Sequence, residues 1–134
     1  MERTFVMIKP DGVRKQLTGE CLRRYEAKGL KIVDLRMENL SADIARQHYG
    51  EHVDKPFFDD LVKHVTSGPV VLMVLEGVGA VAAARKLNGA TNPLEADPGS
   101  LRGAFALEIT ENIVHGSDSV DSARREIGIF FPKQ

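Results

Sequence analysis

Short apolar runs along the chain predict four β-strands. The first, Thr4 to Ile8, leads into residues 9–12, whose lysine, proline, aspartate and glycine are typical of a turn. The second, Leu30 to Met37, has aliphatic side chains on both faces. Val70 to Leu75 is a continuous aliphatic run, which indicates a buried central strand. Ile109 to Val114 predicts a short last strand that ends at a turn.

Apolar residues at helical spacing predict helices between these strands. Thr18 to Lys28 has this spacing, and Gly29 suits the left-handed position that follows a helix. The other helices are predicted from Ser41 to about Tyr49, from Pro56 through Val65, from Ala80 to Leu87, and from Ser119 or Ser122 through Ile127. Because helices alternate with strands, we expect an α/β or α+β sandwich in which helices cover a small sheet.

A long loop is predicted from Asn88 to Arg102, where the chain is rich in glycine, asparagine, proline and aspartate. Loops of this length in compact domains are usually either functional or disordered. This one contains Thr91 and ends at a cation, and we therefore expect it to take part in function.

Composition limits the classes of function. With 134 residues and 43% apolar content, residues 1–134 are expected to form a single domain. The formal net charge of −1 provides no global field for a nucleic acid or an anionic membrane, so any phosphate site must be local. Cys21 is the only cysteine, no secretory signal is recognisable, and no apolar run approaches ~20 residues. We expect a cytoplasmic protein that requires neither a membrane nor a nucleic acid.

The most informative segment surrounds His115, which is expected at a strand end and is followed by small residues. Neutral imidazole is nucleophilic near pH 7, so it can accept a phosphoryl group without first losing a proton. Glu126, on the last predicted helix, could orient the ring and stabilise its cation, while Ser117 holds the carboxyl group. From the residues alone, a turn histidine bonded to its own loop and a solvated glutamate remain open alternatives.

Three cations and one aromatic ring could complete a nucleotide site. Phosphoryl transfer needs cations because negative charge spreads over the transferring oxygens. Lys9, Arg85 and Arg102 lie on three different predicted elements, and together they would form a phosphate clamp, although each alone could be a surface charge. One of Phe57 and Phe58 must point away from the core if both are helical, and an exposed ring can stack on a base. Burial of both rings remains a close alternative.

Six short motifs, in order along the chain, resemble the nucleoside diphosphate kinase family. They are Ile8-Lys9-Pro10-Asp11-Gly12, Lys55-Pro56-Phe57-Phe58, Ser67-Gly68-Pro69-Val70-Val71, Gly89-Ala90-Thr91-Asn92-Pro93, Leu101-Arg102-Gly103, and Asn112 followed by His115-Gly116-Ser117-Asp118-Ser119. The match is collinear from Arg3 to Phe131. Any single motif can arise by chance, but six in the family's order are highly specific.

The resemblance implies a ferredoxin-like βαββαβ fold with a four-stranded antiparallel sheet. It also implies a ping-pong transfer of the terminal phosphoryl group from nucleoside triphosphates such as ATP and GTP to nucleoside diphosphates, with broad specificity for base and sugar. The nucleophile corresponds to His115 and its supports to Glu126 and Ser117. The family's phosphate-contacting or site-lining positions correspond to Lys9, Tyr49, Arg85, Thr91 and Arg102, its sugar contact to Asn112 and its base contact to Phe57. Mg²⁺ held mainly by substrate phosphates, and assembly into a homo-oligomeric tetramer or hexamer, are further implications.

One competing interpretation is a dinucleotide-binding turn. Gly77 to Ala82 matches the Gly-x-Gly-x-x-Ala pattern after a strand, and Glu95 and Asp97 follow at the distance that this fingerprint requires. The next helix, however, leads into a loop and not into a second hydrophobic strand. We therefore expect these glycines to serve a tight turn between strand and helix.

Two further interpretations are a zinc site and a binding module. His48, His52 and His64 could suggest zinc, but Gly50 intervenes and no fourth ligand is evident, so we expect solvated histidines. Ferredoxin-like domains also serve as nucleotide-sensing or interaction modules, and fold alone does not exclude that role. The His115 motif favours turnover.

Overall fold

The computed structural model describes residues 1–134 and places four strands in one sheet. The strands are β1 (Glu2–Ile8), β2 (Lys31–Glu38), β3 (Val70–Gly77) and β4 (Val114–Gly116). Their order across the sheet is β2-β3-β1-β4, and all three neighbouring pairs are antiparallel. The sheet and its covering helices confirm the ferredoxin-like fold.

Seven α-helices and one 3₁₀ helix connect and cover the strands. They are α1 (Pro10–Arg14), α2 (Thr18–Lys28), α3 (Ala42–His48), the 3₁₀ helix Gly50–His52, α4 (Phe58–Val65), α5 (Ala80–Asn88), α6 (Leu101–Phe105) and α7 (Val120–Phe130). Two of the helix-end predictions are confirmed, because Gly29 has φ of 107° after α2 and the Ser41 side chain accepts a hydrogen bond from the Ile44 amide at the start of α3. None of the helices has the length and apolar character needed to cross a membrane.

Two apolar layers cover the two faces of the sheet. Alternate side chains of a strand point to opposite faces. Val6 and Ile8 accordingly join the layer formed with α2 and α5, whereas Phe5 and Met7 join the layer formed with α3, α4 and α7. In the second layer Phe5 stacks on Phe130 with ring centroids 4.7 Å apart. Each fully buried side chain of this size contributes about 1.5 to 3 kcal/mol, so β1 is firmly held from both sides.

The structure differs from the sequence predictions at three places where a helix begins. The residues after β1 form α1 and not a simple turn, because Pro10 has the fixed φ of a first helical position. Pro56 precedes α4, which begins at Phe58. The end of the predicted long loop is the short helix α6, whose Ser100 side chain accepts a hydrogen bond from the Gly103 amide.

The last strand is shorter than predicted and begins later. Residues 109–113 lie outside the sheet, and Ile113 has φ of 78°, which interrupts the extended backbone. For a β-branched residue this conformation costs on the order of 1–3 kcal/mol. His115 therefore lies in the middle of β4, opposite Met7 of β1, and not in the turn that was predicted. Lys9, directly after β1, lies beside the start of β4.

Candidate active site

A cleft of about 1120 Å³ opens beside the place where β1 ends and β4 begins. Nine of the ten predicted site residues line it, namely Lys9, Tyr49, Phe57, Arg85, Thr91, Arg102, Asn112, His115 and Glu126. The tenth, Ser117, is fully buried and contacts Glu126. Residues that lie far apart in the sequence therefore surround a single cavity.

The centre of the cleft is a hydrogen-bonded pair of side chains, one from β4 and one from α7. Nε2 of His115 lies 2.9 Å from Oε1 of Glu126, and the Ser117 hydroxyl donates to the same oxygen at 2.6 Å. The carboxyl group is almost completely buried, whereas the His115 side chain remains 27% exposed. The reactive ring is thus accessible, while the group that orients it is shielded from water.

The hydrogen bond to Glu126 also determines the histidine tautomer. A carboxylate can only accept, so Nε2 of His115 carries a proton. In a neutral ring the other nitrogen, Nδ1, then keeps its lone pair, and it makes no hydrogen bond within the chain. The geometry therefore supplies one unprotonated ring nitrogen.

His48 was expected to be solvated, and this prediction is wrong. Its side chain is buried, and its ring meets that of His115 edge-on, with centroids 4.7 Å apart. Neither ring nitrogen has a hydrogen-bond partner. Burial, and then the neighbouring His115, lower its pKa well below 6.5, so the ring is neutral. The signal in the sequence was helical spacing, because His48 follows the buried Ala45 by three residues on the same face of α3.

The other two histidines of the rejected zinc interpretation are separated from His48. His52 lies at the rim, where its ring centroid is 5.5 Å from that of Phe57. His64 lies on α4, and its Nε2 is 3.1 Å from Oδ1 of Asp11. The three rings have different partners and do not form a common metal site.

Lys9 is a buried cation at the bottom of the cleft. Its ammonium group donates to Oδ1 of Asn112 at 2.8 Å. Burial lowers the pKa of Lys9 to about 8, although the nearby Asp11 opposes that shift. The amide of Asn112 in turn donates to the carbonyl of Thr91, at 2.9 Å, so the long loop is tied to the same cluster.

Arg102 holds three backbone segments together. Its guanidinium donates to the carbonyl oxygens of Gly89, Asn112 and Val114 at 2.7, 3.2 and 2.6 Å. Burial lowers its pKa to about 10. A guanidinium has five N–H donors, so two remain for a ligand in the cleft. Its structural bonds were not expected from the sequence, which suggested only a phosphate contact.

Arg85 and Gly116 show how closely the wall of the cleft is packed. Nη1 of Arg85 donates to the carbonyl of Gly116 at 3.3 Å. A Cβ atom added to Gly116 would lie 2.7 Å from Nδ2 of Asn88, so no other residue fits without movement. Asn88 is itself fixed, because its Oδ1 accepts from the Tyr25 hydroxyl at 2.5 Å. The small residue after His115 is therefore a packing requirement.

Aromatic side chains form the outer wall. Phe57 is 45% exposed at the mouth of the cleft, whereas Phe58 is buried in the core. The alternative in which both rings pack inside is thereby excluded. Tyr49 lies deeper, with its ring centroid 4.5 Å from that of His48. Burial raises the pKa of Tyr49 to about 12, so its phenol stays protonated.

Comparisons with known proteins identify the family of the chain. A family model described as nucleoside diphosphate kinase matches residues 2–134. A nucleoside diphosphate kinase of Cyanothece sp. is 59% identical over 98% of this chain and 88% of its own length. One of Thermus thermophilus is 57% identical over 98% and 96%. The chain belongs to the nucleoside diphosphate kinase family.

Solved structures of the family have the same fold. A nucleoside diphosphate kinase family protein from Babesia bovis superimposes with a TM-score of 0.97 at 47% identity, covering 100% of this chain and 91% of that one. A halophilic nucleoside diphosphate kinase from Halobacterium salinarum, solved in complex with CDP, gives 0.94 at 48% identity, covering 97% and 87%. This chain is accordingly an enzyme that transfers phosphoryl groups between nucleotides, and the binding-module alternative is excluded.

One cluster in this kinase has residue types that could hold a metal. Donor atoms of His48, His115 and Glu126 all lie within 4.8 Å of one another. Imidazole suits zinc and related ions, whereas Mg²⁺ prefers six oxygen ligands. Oε1 of Glu126 is already shared by two hydrogen bonds, and Nη2 of Arg125 lies 3.6 Å from Oε2. These side chains therefore do not suit Mg²⁺.

The tight turn that was expected lies between Gly77, the last residue of β3, and the start of α5. Gly79 has φ of 58° and precedes the first residue of α5. The amide of Val81, in the first turn of α5, donates to the Glu2 side chain at 2.8 Å. A carboxylate of the protein thus already occupies the place where a dinucleotide phosphate would bind.

Proposed function

We propose that this kinase works by a ping-pong reaction through a phosphohistidine on His115, with broad specificity for base and sugar. The observation that carries the proposal is the hydrogen bond from Nε2 of His115 to the buried Glu126. It fixes the plane of the ring and leaves the lone pair on Nδ1. The three cations around the same cleft supply the charge that a triphosphate requires.

In the first half-reaction the Nδ1 lone pair attacks the terminal phosphorus of a nucleoside triphosphate. The bond from that phosphorus to the bridging oxygen breaks, and the nucleoside diphosphate leaves with the electron pair. His115 becomes cationic as it is phosphorylated, and Glu126 stabilises this charge at 2.9 Å. A second diphosphate then attacks the phosphohistidine with a terminal oxygen, which restores the neutral ring. No proton needs to leave the ring in either step.

The remaining predicted residues have separate roles in this proposal. Lys9, Arg85, Thr91 and Arg102 bind phosphates, Asn112 contacts the sugar, Phe57 stacks on the base, Tyr49 lines the site, and Ser117 holds Glu126. Two donors of the Arg102 guanidinium are free for a phosphate. Broad specificity is the consequence of recognising the base by stacking, because every base offers an aromatic face.

Mg²⁺ is the proposed cofactor, and it enters on the substrate. When bound, it neutralises charge on the phosphate oxygens. The interior of the cleft offers cations and imidazoles, and its carboxyl groups outside Glu126 lie towards the rim, among them Asp118, which is exposed. This distribution favours a metal held by the nucleotide's own phosphates.

We also propose that residues 1–134 form one domain that assembles as a homo-oligomer, a tetramer or a hexamer, in the cytoplasm, without need of a membrane or a nucleic acid. Support for association comes from β2, which is the outermost strand on its side of the sheet. It exposes Leu35 and Met37, at 45% and 58%. An unpaired apolar edge of this kind favours pairing with another chain.

The reaction through His115 can be tested by labelling. Incubation with γ-labelled ATP and Mg²⁺ should leave an acid-labile, base-stable phosphate on the protein, and any nucleoside diphosphate should remove it. The variant His115→Ala should not be labelled. His52→Ala, which removes a rim histidine outside the reaction, should be labelled fully. Failure of the unmodified enzyme to become labelled would refute the ping-pong proposal.

A further inference from the structure

The backbone next to the nucleophile is held in an unfavourable conformation. Ile113 has φ of 78°, and it separates Asn112, which binds Lys9, from Val114, which begins β4. A β-branched side chain strongly disfavours this region, so the conformation persists only if neighbouring groups enforce it. The groups that enforce it therefore determine how the proposed sugar contact and the nucleophile are placed relative to each other.

The Val114 amide donates to the Asn112 carbonyl at 2.9 Å, and Arg102 binds the carbonyls on either side of Ile113, but only residues 9–12 bind the polar groups of Ile113 itself. Oδ2 of Asp11 accepts a hydrogen bond from the Ile113 amide at 2.9 Å, and the Lys9 amide donates to the Ile113 carbonyl at 2.8 Å. Both polar backbone groups of Ile113 are thus bound to the same short segment. A Cβ atom at Gly12 would lie 2.8 Å from the Ile113 carbonyl oxygen, so the glycine is needed for this approach.

Asp11 is in turn held by a histidine of α4. Its other oxygen, Oδ1, lies 3.1 Å from Nε2 of His64, and the carboxyl group is almost completely buried. Burial alone would raise the pKa of Asp11, but the hydrogen bonds from His64 and Ile113, together with the charge of Lys9, hold it below 3.8. The carboxylate can only accept, so Nε2 of His64 carries the proton.

We propose that Asp11 and His64 are positioning residues that enforce the left-handed backbone at Ile113 and so set the placement of Asn112 relative to His115. This inference rests on the proposed function for the role of His115. Neither residue belongs to the set that the sequence indicated as a site. We call them the Asp11–His64 clip.

The clip also connects the two ends of the cleft. Phe57 immediately precedes α4 and lies at the mouth, whereas His64 lies in the last turn of the same helix. Through Asp11 and Ile113, α4 is thereby bonded to the segment that carries the nucleophile. The proposed base-stacking ring and the reacting nitrogen thus lie on segments that are connected through the clip.

The decisive variants change the donor of the clip while leaving α4 in place. His64→Phe keeps a ring but removes the hydrogen bond, whereas His64→Gln retains an N–H donor at nearly the same place. Val62→Ala, in the same helix, is the matched control, because it removes buried apolar volume without touching Asp11. A fourth variant, Asp11→Asn, removes the charge of the carboxyl group. The other three variants are sufficient for the conclusion if this one does not fold.

Two readouts separate positioning from general stability. The rate constant for phosphorylation of His115 should fall about tenfold in His64→Phe, while nucleotide affinity changes by less than about twofold, because misplacement of a reacting group acts on the chemical step. His64→Gln should recover most of the rate, and Val62→Ala should keep it. Of the two His64 variants and Val62→Ala, only His64→Phe should accelerate amide hydrogen exchange at Ile113, by about tenfold.

The outcomes distinguish this inference from the proposed function. A wild-type phosphorylation rate in His64→Phe, or equal losses in His64→Phe and Val62→Ala, would overturn the clip. If the unmodified enzyme is never phosphorylated, the proposed function fails, and hydrogen exchange at Ile113 then decides the clip alone. Unchanged exchange in His64→Phe would overturn it in that case as well.

Discussion

Glu126 holds His115 from an almost completely buried position, with 2.9 Å between Oε1 and Nε2. Since the carboxyl group is buried, its charge acts on the ring with little screening. The partner that fixes it, Ser117, is fully buried as well. Orientation and charge are therefore two separable contributions of one side chain.

Removing the charge of Glu126 while keeping the shape of its side chain should show how much that charge contributes to the reaction. Glu126→Gln retains an oxygen that can accept from Nε2, but it cannot stabilise the cation that forms on phosphorylation. We expect the rate constant of His115 phosphorylation to fall about 100-fold. Quenched-flow measurement with labelled ATP checks this. The variant Ser117→Ala keeps the charge of Glu126, so its phosphorylation rate constant should fall much less. Equal falls in the two variants would contradict the argument that the charge of Glu126 stabilises the cation.

The buried Lys9 should make nucleotide binding sensitive to pH. Burial lowers the pKa of Lys9 to about 8, so the free enzyme loses this cation as the pH rises through that value. A bound phosphate favours the charged form, and affinity for a nucleoside diphosphate should therefore decline above about pH 8, by at most tenfold per pH unit. Calorimetric titration across this range measures it. Lys9→Met should bind more weakly throughout and show no inflection near that pH.

Phe57 should contribute to binding only when the ligand has a base. Its exposed ring at the mouth of the cleft is placed to stack, and such stacking contributes about 1–3 kcal/mol. We expect Phe57→Ala to raise the KM for nucleoside diphosphates about tenfold or more. Inhibition by inorganic tripolyphosphate, which lacks a base, should be unchanged. A parallel loss for tripolyphosphate would show that the ring supports the phosphate site instead.

His48 should make the protein less stable in acid. Its pKa is about 6.5 when unfolded and well below that when folded, so the unfolded state binds a proton first. Stability from the neutral ring is therefore complete above pH 6.5 and declines as the pH falls below it, by about 1.4 kcal/mol per pH unit. Urea denaturation from pH 7 to 5 measures the slope. The variant His48→Leu, which cannot titrate, should have a smaller slope.

Arg102 should matter for stability even without nucleotide. Three carbonyl oxygens depend on its guanidinium, and hydrogen bonds from charged donors contribute about 1.5–3 kcal/mol each. Arg102→Lys keeps the charge but cannot reach all three, and we expect it to lower the free energy of unfolding by about 3 kcal/mol. Urea denaturation of the unliganded enzyme tests this. Arg85→Lys is the control, because Arg85 lies on the exposed wall of the cleft and bonds to the Gly116 carbonyl alone. This variant should change the free energy of unfolding by less than about 1 kcal/mol.

Local patterns in the sequence were sufficient for most of the framework. The aliphatic run in β3 and the helical spacing in α2 are properties of neighbouring residues, and both elements are found where they were predicted. β4 was misplaced because three residues have too little periodicity to define a strand. Its position depends on pairing with β1, and this register is a tertiary interaction that spacing cannot reveal.

The candidate site, like the fold, could be predicted from the sequence only in part. Local composition indicated a reactive histidine at His115 and offered Glu126, Ser117 and three cations as its partners, whereas the roles of Tyr49 and Asn112 came only from the family resemblance. The burial of His48 and the left-handed backbone of Ile113 were not predicted, because both depend on segments that meet only in the folded chain. The structural bonds of Arg102 were missed for the same reason, since a cation in a sequence does not show which carbonyl groups surround it.

The pairing of β1 with β4 also has a consequence for folding. The bonds from Lys9 to Asn112 and from Ile113 to Asp11 join residues 103 and 102 positions apart. Contacts between residues so far apart in the sequence form late, because closing a long loop costs conformational entropy before the contacts contribute favourable free energy. A nascent chain that has not yet reached β4 has neither nucleophile nor Glu126, and its strand β1 has one open edge. Phosphotransfer activity is therefore gained only after β4 and α7 have been synthesised and β4 has paired with β1.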